Sequence, residues 1–144
     1  MSFDQPVFLR IDTENGSPCL ADSSCESVIT SLLSVSDKGW FDLLGFVVLP
    51  SELQLMVVPH GKTINDLLSL LESTVAATIG NSELVFDKDF YREKVDSEEE
   101  VRMRLRWMLQ APVRSRLANM SEAYPYSSAN ERFRDVVKAS QRVM

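Results

Sequence analysis

Apolar residues recur along this chain in two rhythms, and the clearest lies in its middle. Val47, Val48 and Leu49 form an apolar run that stops at Pro50. Beyond Ser51, the residues Leu53, Leu55 and Val57 alternate with Glu52, Gln54 and Met56. This pattern predicts a buried strand over 40–49, a tight turn at Pro50-Ser51 and a second strand over 53–58 with one apolar face. Pro50 marks a strand end because it has no N–H to give to the ladder. Residues 7–11 (VFLRI) predict a shorter strand, and 83–95 one or two more, while 13–18 (TENGSP) is a turn cluster around Asn15-Gly16.

The other rhythm is helical. Val28, Ile29, Leu32, Leu33 and Val35 form a stripe that Ser23 or Ser24 can cap, with Gly39 ending it. Ile64, Leu67, Leu68, Leu71, Val75 and Ile79 form a second stripe, opened by Thr63 and closed at Gly80-Asn81. Ser97 followed by Glu98, Glu99 and Glu100 starts a third helix, with Glu100 in the capping-box position. Its acids lie at the positive helix end and Arg102, Arg104 and Arg106 follow, as the macrodipole favours. Val101, Leu105, Met108 and Leu109 make its buried face, and Pro112 ends or kinks it. Tyr124-Pro125-Tyr126-Ser127-Ser128 is a turn, and 130–144 reads as a surface helix or frayed tail.

The order β-α-β-β-α-β, then a further helix, predicts an α+β fold: a ferredoxin-like antiparallel sheet with helices on one face and a C-terminal helical extension. At 144 residues, one domain over 1–128 followed by a helix or tail over 129–144 is expected. No apolar run approaches the roughly 20 residues of a membrane span, and the first residues lack the basic start of a secretory signal. A cytoplasmic location and reduced Cys19 and Cys25 thiols are therefore expected. Net charge is −6, but unevenly spread. Residues 1–100 carry 6 Lys/Arg against 18 Asp/Glu, and 101–144 carry 9 against 3. A basic face contributed by the last third, or internal neutralisation between the two parts, would follow equally.

Longer motifs carry a resemblance. Phe46-Val47-Val48-Leu49-Pro50-Ser51-Glu52-Leu53-Gln54-Leu55-Met56-Val57-Val58-Pro59 lies along the pattern Y-V-x-M-P-N/D-H-V-H-L-L-V-x-P. Arg106-Trp107-Met108-Leu109-Gln110-Ala111-Pro112-Val113-Arg114-Ser115-Arg116-Leu117 lies along R-Y-I-x-x-N-P-V-R-A-G-L-V, preceded by Phe90-Tyr91 and Val95. Tyr124-Pro125-Tyr126-Ser127-Ser128 matches a closing Y-P-W-S-S. The chain resembles the single-tyrosine His-hydrophobic-His transposases, in particular the REP-associated branch, over roughly residues 7–128.

The resemblance implies a strand presenting two metal-binding histidines at i and i+2, which share one face, and a helix tyrosine that attacks DNA phosphorus. In these places the chain has Glu52, Gln54 and Trp107, and Ala111 where the pattern has Asn. An indole has no oxygen with which to attack. The resemblance thus implies a degenerate site, with no catalytic residue, no cofactor and the Mg or Mn site lost. Glu52 and Gln54 alone would make a weak Mg2+ site, and exposed polar positions of an alternating strand are the simpler reading. Tyr91, Tyr124 and Tyr126 align with structural positions, and His60 lies in a turn without a second histidine to share a zinc.

Binding can outlive catalysis, since phosphate contacts need only placed positive charge. Arg102, Arg104, Arg106, Arg114 and Arg116 lie on and after the helix that faces DNA in the resembled family. Hairpin or single-stranded DNA is the ligand class implied, with Trp107 available to stack on a base. The alternatives are a protein-interaction module without nucleic acid and a residual Mg-dependent nuclease. No membrane partner is expected, and the resemblance is compatible with monomer or homodimer.

Overall fold

The computed structural model describes residues 5–13, 22–79 and 89–133. Its elements in chain order are β1 (Val7–Asp12), α1 (Asp22–Asp37), β2 (Phe41–Leu49), β3 (Glu52–Pro59), α2 (Ile64–Ile79), β4 (Tyr91–Lys94), α3 (Glu98–Leu109) and the one-turn α4 (Ala111–Arg114). The strands form one sheet in the order β2-β3-β1-β4, with every neighbouring pair antiparallel. That is the ferredoxin-like order: each β-α-β crossover skips one strand, and the two units interleave.

Alternation sends successive side chains to opposite faces of this sheet. Leu9, Ile11, Phe46, Val48, Leu53, Leu55 and Val57 face α1 and α2, which contribute Val28, Ile29, Leu32, Val35, Leu67, Leu71 and Val75. Phe8, Val47, Leu49, Met56 and Val58 point the other way and meet Val101, Leu105 and Met108 of α3. The two crossover helices thus share one face as expected, and the C-terminal extension covers the second. This double cover explains why β2 is an almost continuous apolar run. It also corrects the reading of Glu52 and Gln54 as exposed strand positions: Glu52 is half-buried and Gln54 only 3% exposed. Polar residues of an alternating strand face water only where nothing packs on them, and here the C-terminal extension covers that face.

α3 can approach the sheet because β2 carries a glycine. A register shift between Leu43 and Gly45 turns Gly45 toward the helix. A Cβ there would lie 2.6 Å from Leu105 Cδ2 and 3.1 Å from Met108 Cε.

Helix ends follow local chemistry. The Ser97 side chain accepts from the Glu100 N–H at 3.2 Å, while the Glu100 carboxylate reaches past Ser97 to the Asp96 N–H at 3.1 Å. Thr63 caps α2 through the Asp66 N–H at 3.1 Å. α1 begins at Asp22, so Ser23 and Ser24 lie in its first turn rather than at its cap. Gly39, at φ 82°, supplies the left-handed residue after its last turn.

The Tyr124–Ser128 stretch does more than turn. It lies along the outer edge of β2, where the Val48 N–H donates to the Tyr126 carbonyl at 2.9 Å and the Ser128 N–H to the Phe46 carbonyl at 3.0 Å. The Tyr124 hydroxyl donates to the Val48 carbonyl at 2.7 Å. A sheet edge that would otherwise offer unpaired backbone groups is closed this way. Phe133 then packs its ring on Phe46, centroids 5.0 Å apart. Cys25 is buried in α1. Cys19, the rest of the 13–18 turn, Gly80-Asn81, 83–88 and 134–144 lie outside the described residues.

Candidate nucleic-acid interface

The α3-covered face of the sheet ends in a polar margin. Cross-strand register places Asp12 opposite Glu52 and Arg10 opposite Gln54, while Tyr91 lies opposite Arg10 and Glu93 opposite Phe8. All point to the side on which α3 lies. Along α3, positions 104 and 107 are three apart and so share a flank. That flank overhangs Phe8 and β4.

Trp107 is the centre of what results. Its ring meets Phe8 edge-on with centroids 6.2 Å apart. The guanidinium of Arg114 lies 4.2 Å from the ring centroid and that of Arg104 5.4 Å. Arg114 also donates to the Trp107 carbonyl at 2.7 Å. The α3–α4 break at Gln110 makes this possible, because it turns the chain so that a residue seven positions on can reach back. Each guanidinium–ring contact contributes roughly 0.5–1 kcal/mol at an exposed site. Trp107 remains 45% exposed.

Arg104 is committed on its other side. It ion-pairs with Glu93 and lies 4.9 Å over the Phe8 ring. Glu93 also accepts from the Tyr91 hydroxyl at 2.6 Å. These two donors, Tyr91 first, hold the Glu93 carboxyl below its ordinary range. The same bond to Glu93 raises the Tyr91 phenol, which disfavours a Tyr91 phenolate. Desolvation against the ring lowers Arg114, and the charge of Glu52 opposes that shift; an arginine so placed stays charged at any ordinary pH. Glu52, Arg114 and Trp107 are therefore electrostatic neighbours, across 62 residues of sequence.

The paired strand positions make a different group from the one the resemblance implies. Gln54 Nε2 donates to Glu52 Oε2 at 2.7 Å. The remaining Gln54 acceptor, Oε1, is buried with no hydrogen-bond partner. A metal site needs several convergent oxygen or nitrogen ligands. Here one carboxylate oxygen is engaged by an amide N–H, and among the described residues no three His, Cys, Asp or Glu side chains converge. These residues do not fit a divalent cation.

The remaining singled-out residues lie elsewhere. Tyr124 uses its hydroxyl on the β2 backbone and packs its ring on Tyr126, centroids 5.6 Å apart. His60, at the far end of β3 from Glu52, places Nε2 3.2 Å from Asp42 Oδ2. Arg102, Arg106, Arg114 and Arg116 are exposed. Arg102 and Arg106 form no ion pair with Glu98 or Glu99 among the described residues. Phe8 and Glu93, which orient Trp107 and Arg104, carried no motif. Their only signal was the period-2 spacing of Tyr91 and Glu93, which puts a phenol and a carboxylate on one strand face.

This geometry belongs to a transposase-like fold. The structure is similar to that of the REP-associated tyrosine transposase bound to a REP hairpin, with a TM-score of 0.75 and 14% identity over 89% of this chain and 82% of that one. It is also similar to a protein assigned as a transposase from Deinococcus radiodurans R1, with a TM-score of 0.56 and 12% identity over 72% of this chain and 88% of that one. No protein-family model and no curated protein matches the sequence. At these identities the likeness is one of fold.

Proposed function

We propose that the protein is a catalytically inactive transposase-like domain that binds DNA of hairpin or single-stranded character. One observation carries the reading. At the positions where the resemblance expects a metal pair and a nucleophile, Glu52 and Gln54 bond to each other and an indole lies beside two guanidiniums. The indole has no oxygen with which to attack phosphorus, and a Glu52 carboxylate oxygen is engaged by the Gln54 amide.

The binding half of the proposal rests on how the five arginines divide. Arg104 and Arg114 hold Trp107. Arg102 and Arg106, one helical turn apart and exposed, meet no carboxylate among the described residues and are free to contact phosphates. Arg116, exposed just past α4, adds a further positive charge. The half-exposed Trp107 ring offers a stacking surface for an unpaired base, a contact worth roughly 1–3 kcal/mol. The structural neighbour bound to a REP hairpin makes a hairpin the first ligand to try. A protein partner is the second reading, favoured by exposed Met103, Leu117 and Met120 near the same arginines.

The test is fluorescence anisotropy of a labelled hairpin with a single-stranded flank, titrated at low and at physiological salt. Saturable binding that weakens steeply with salt and with Arg102→Glu/Arg106→Glu is expected. Absence of binding at low salt refutes the DNA reading and leaves the protein partner.

A further inference from the structure

Arg116 holds a backbone conformation that arginine disfavours. At φ 62° it is the one non-glycine residue with positive φ among those described. In that region the Cβ crowds the following carbonyl, and glycine is the usual occupant. The cause is the end of α4. The Leu117 N–H donates to the Pro112 carbonyl at 2.8 Å and the Arg116 N–H to the Val113 carbonyl at 3.1 Å. This is the Schellman arrangement, whose residue after the C-cap must be left-handed.

Beyond these two backbone bonds, no side-chain contact of Arg116 among the described residues offsets that strain. The Arg116 side chain is exposed and makes no hydrogen bond, ion pair or ring contact among the described residues. Attraction to the helix dipole is small, because α4 has only four residues and its last carbonyls already accept backbone N–H groups. Strain that a fold does not relieve internally is found where function uses the residue. Arg116 lies two residues past Arg114, whose guanidinium lies over Trp107.

We propose that Arg116 is a phosphate-contact residue, kept in a strained left-handed position because its guanidinium binds the DNA backbone at a cost to the stability of the free protein. This rests on the DNA-binding reading above and adds a trade-off that the reading does not contain. Arg116→Gly relieves strain and removes charge together. Arg116→Ala removes charge and keeps the strain. In urea titrations followed by tryptophan fluorescence, Arg116→Gly raises the folding equilibrium constant by roughly two- to fivefold and Arg116→Ala does not.

In anisotropy titrations on the same hairpin, both variants bind more weakly. Both also reduce the slope of log K against log salt by roughly one, equally for hairpins of different sequence. An Arg116→Gly protein that binds with wild-type affinity and slope, or that is no more stable than wild type, overturns the proposal while the DNA reading stands. A wild-type chain that does not bind the hairpin refutes the DNA reading itself, and the Arg116 assignment with it.

Discussion

Gly45→Ala is the sharpest probe of how α3 reaches the sheet. The added Cβ would lie 2.6 Å from Leu105 Cδ2, 3.1 Å from Met108 Cε and 3.4 Å from Ser128 Oγ. Carbon atoms rest about 3.5–4.0 Å apart, so Leu105 must withdraw by roughly 1 Å. Met108 can give the few tenths asked of it, since its thioether adapts readily. Leu105 has little room: it is 4% exposed, in a core packed at crystal-like density. Overpacking of this kind costs about 1–3 kcal/mol. Gly45 has no positive φ, so alanine returns roughly 0.4–1 kcal/mol by restricting the unfolded chain. The net expectation is a loss of about 1–2 kcal/mol, read as a lower urea midpoint at unchanged m-value. Leu105→Val removes the crowded methyl. Combined with Gly45→Ala, it should therefore cost less than the two single changes added together, with a coupling of at least about 0.5 kcal/mol. A Gly45→Ala protein as stable as wild type, or strictly additive costs in the double variant, would refute the close approach.

Three further outcomes are expected. Trp107→Tyr alone will not restore strand cleavage, because Glu52 and Gln54 do not supply a metal; a covalent protein–DNA product on a denaturing gel would contradict this. Tyr124→Phe loses the buried bond to the Val48 carbonyl and leaves that acceptor unpaired, costing about 1–3 kcal/mol in urea unfolding; no loss would mean that water replaces the phenol. Glu93 has its folded-state pKa depressed, mainly by the Tyr91 hydroxyl and then by Arg104. Its contribution is therefore present above the ordinary value of 4.5 and is lost as pH falls through the depressed value. The stability difference between wild type and Glu93→Gln should shrink from about pH 6 to about pH 3 and shrink also with added salt. A pH-independent difference would refute that assignment.

Local rules determined much of this protein from its sequence. Alternation in β1 and β3, the apolar run of β2, the two stripes of α1 and α2 and the Ser97 cap are properties of neighbouring residues, so the ferredoxin-like order was legible without contacts. Glu52, Gln54, Trp107 and Ala111 were singled out only through the resemblance, whose motifs have other residues at those places. Tertiary packing decided what surrounds them. Whether the polar side of β3 meets water depends on the C-terminal elements that cover that face, and Gln54 is buried there. Which arginines are engaged depends on Phe8, Glu93 and Glu52, drawn from three strands. The strain at Arg116 depends on how α4 ends. Hydrophobic period specifies a face, but only the assembled layers determine what that face touches.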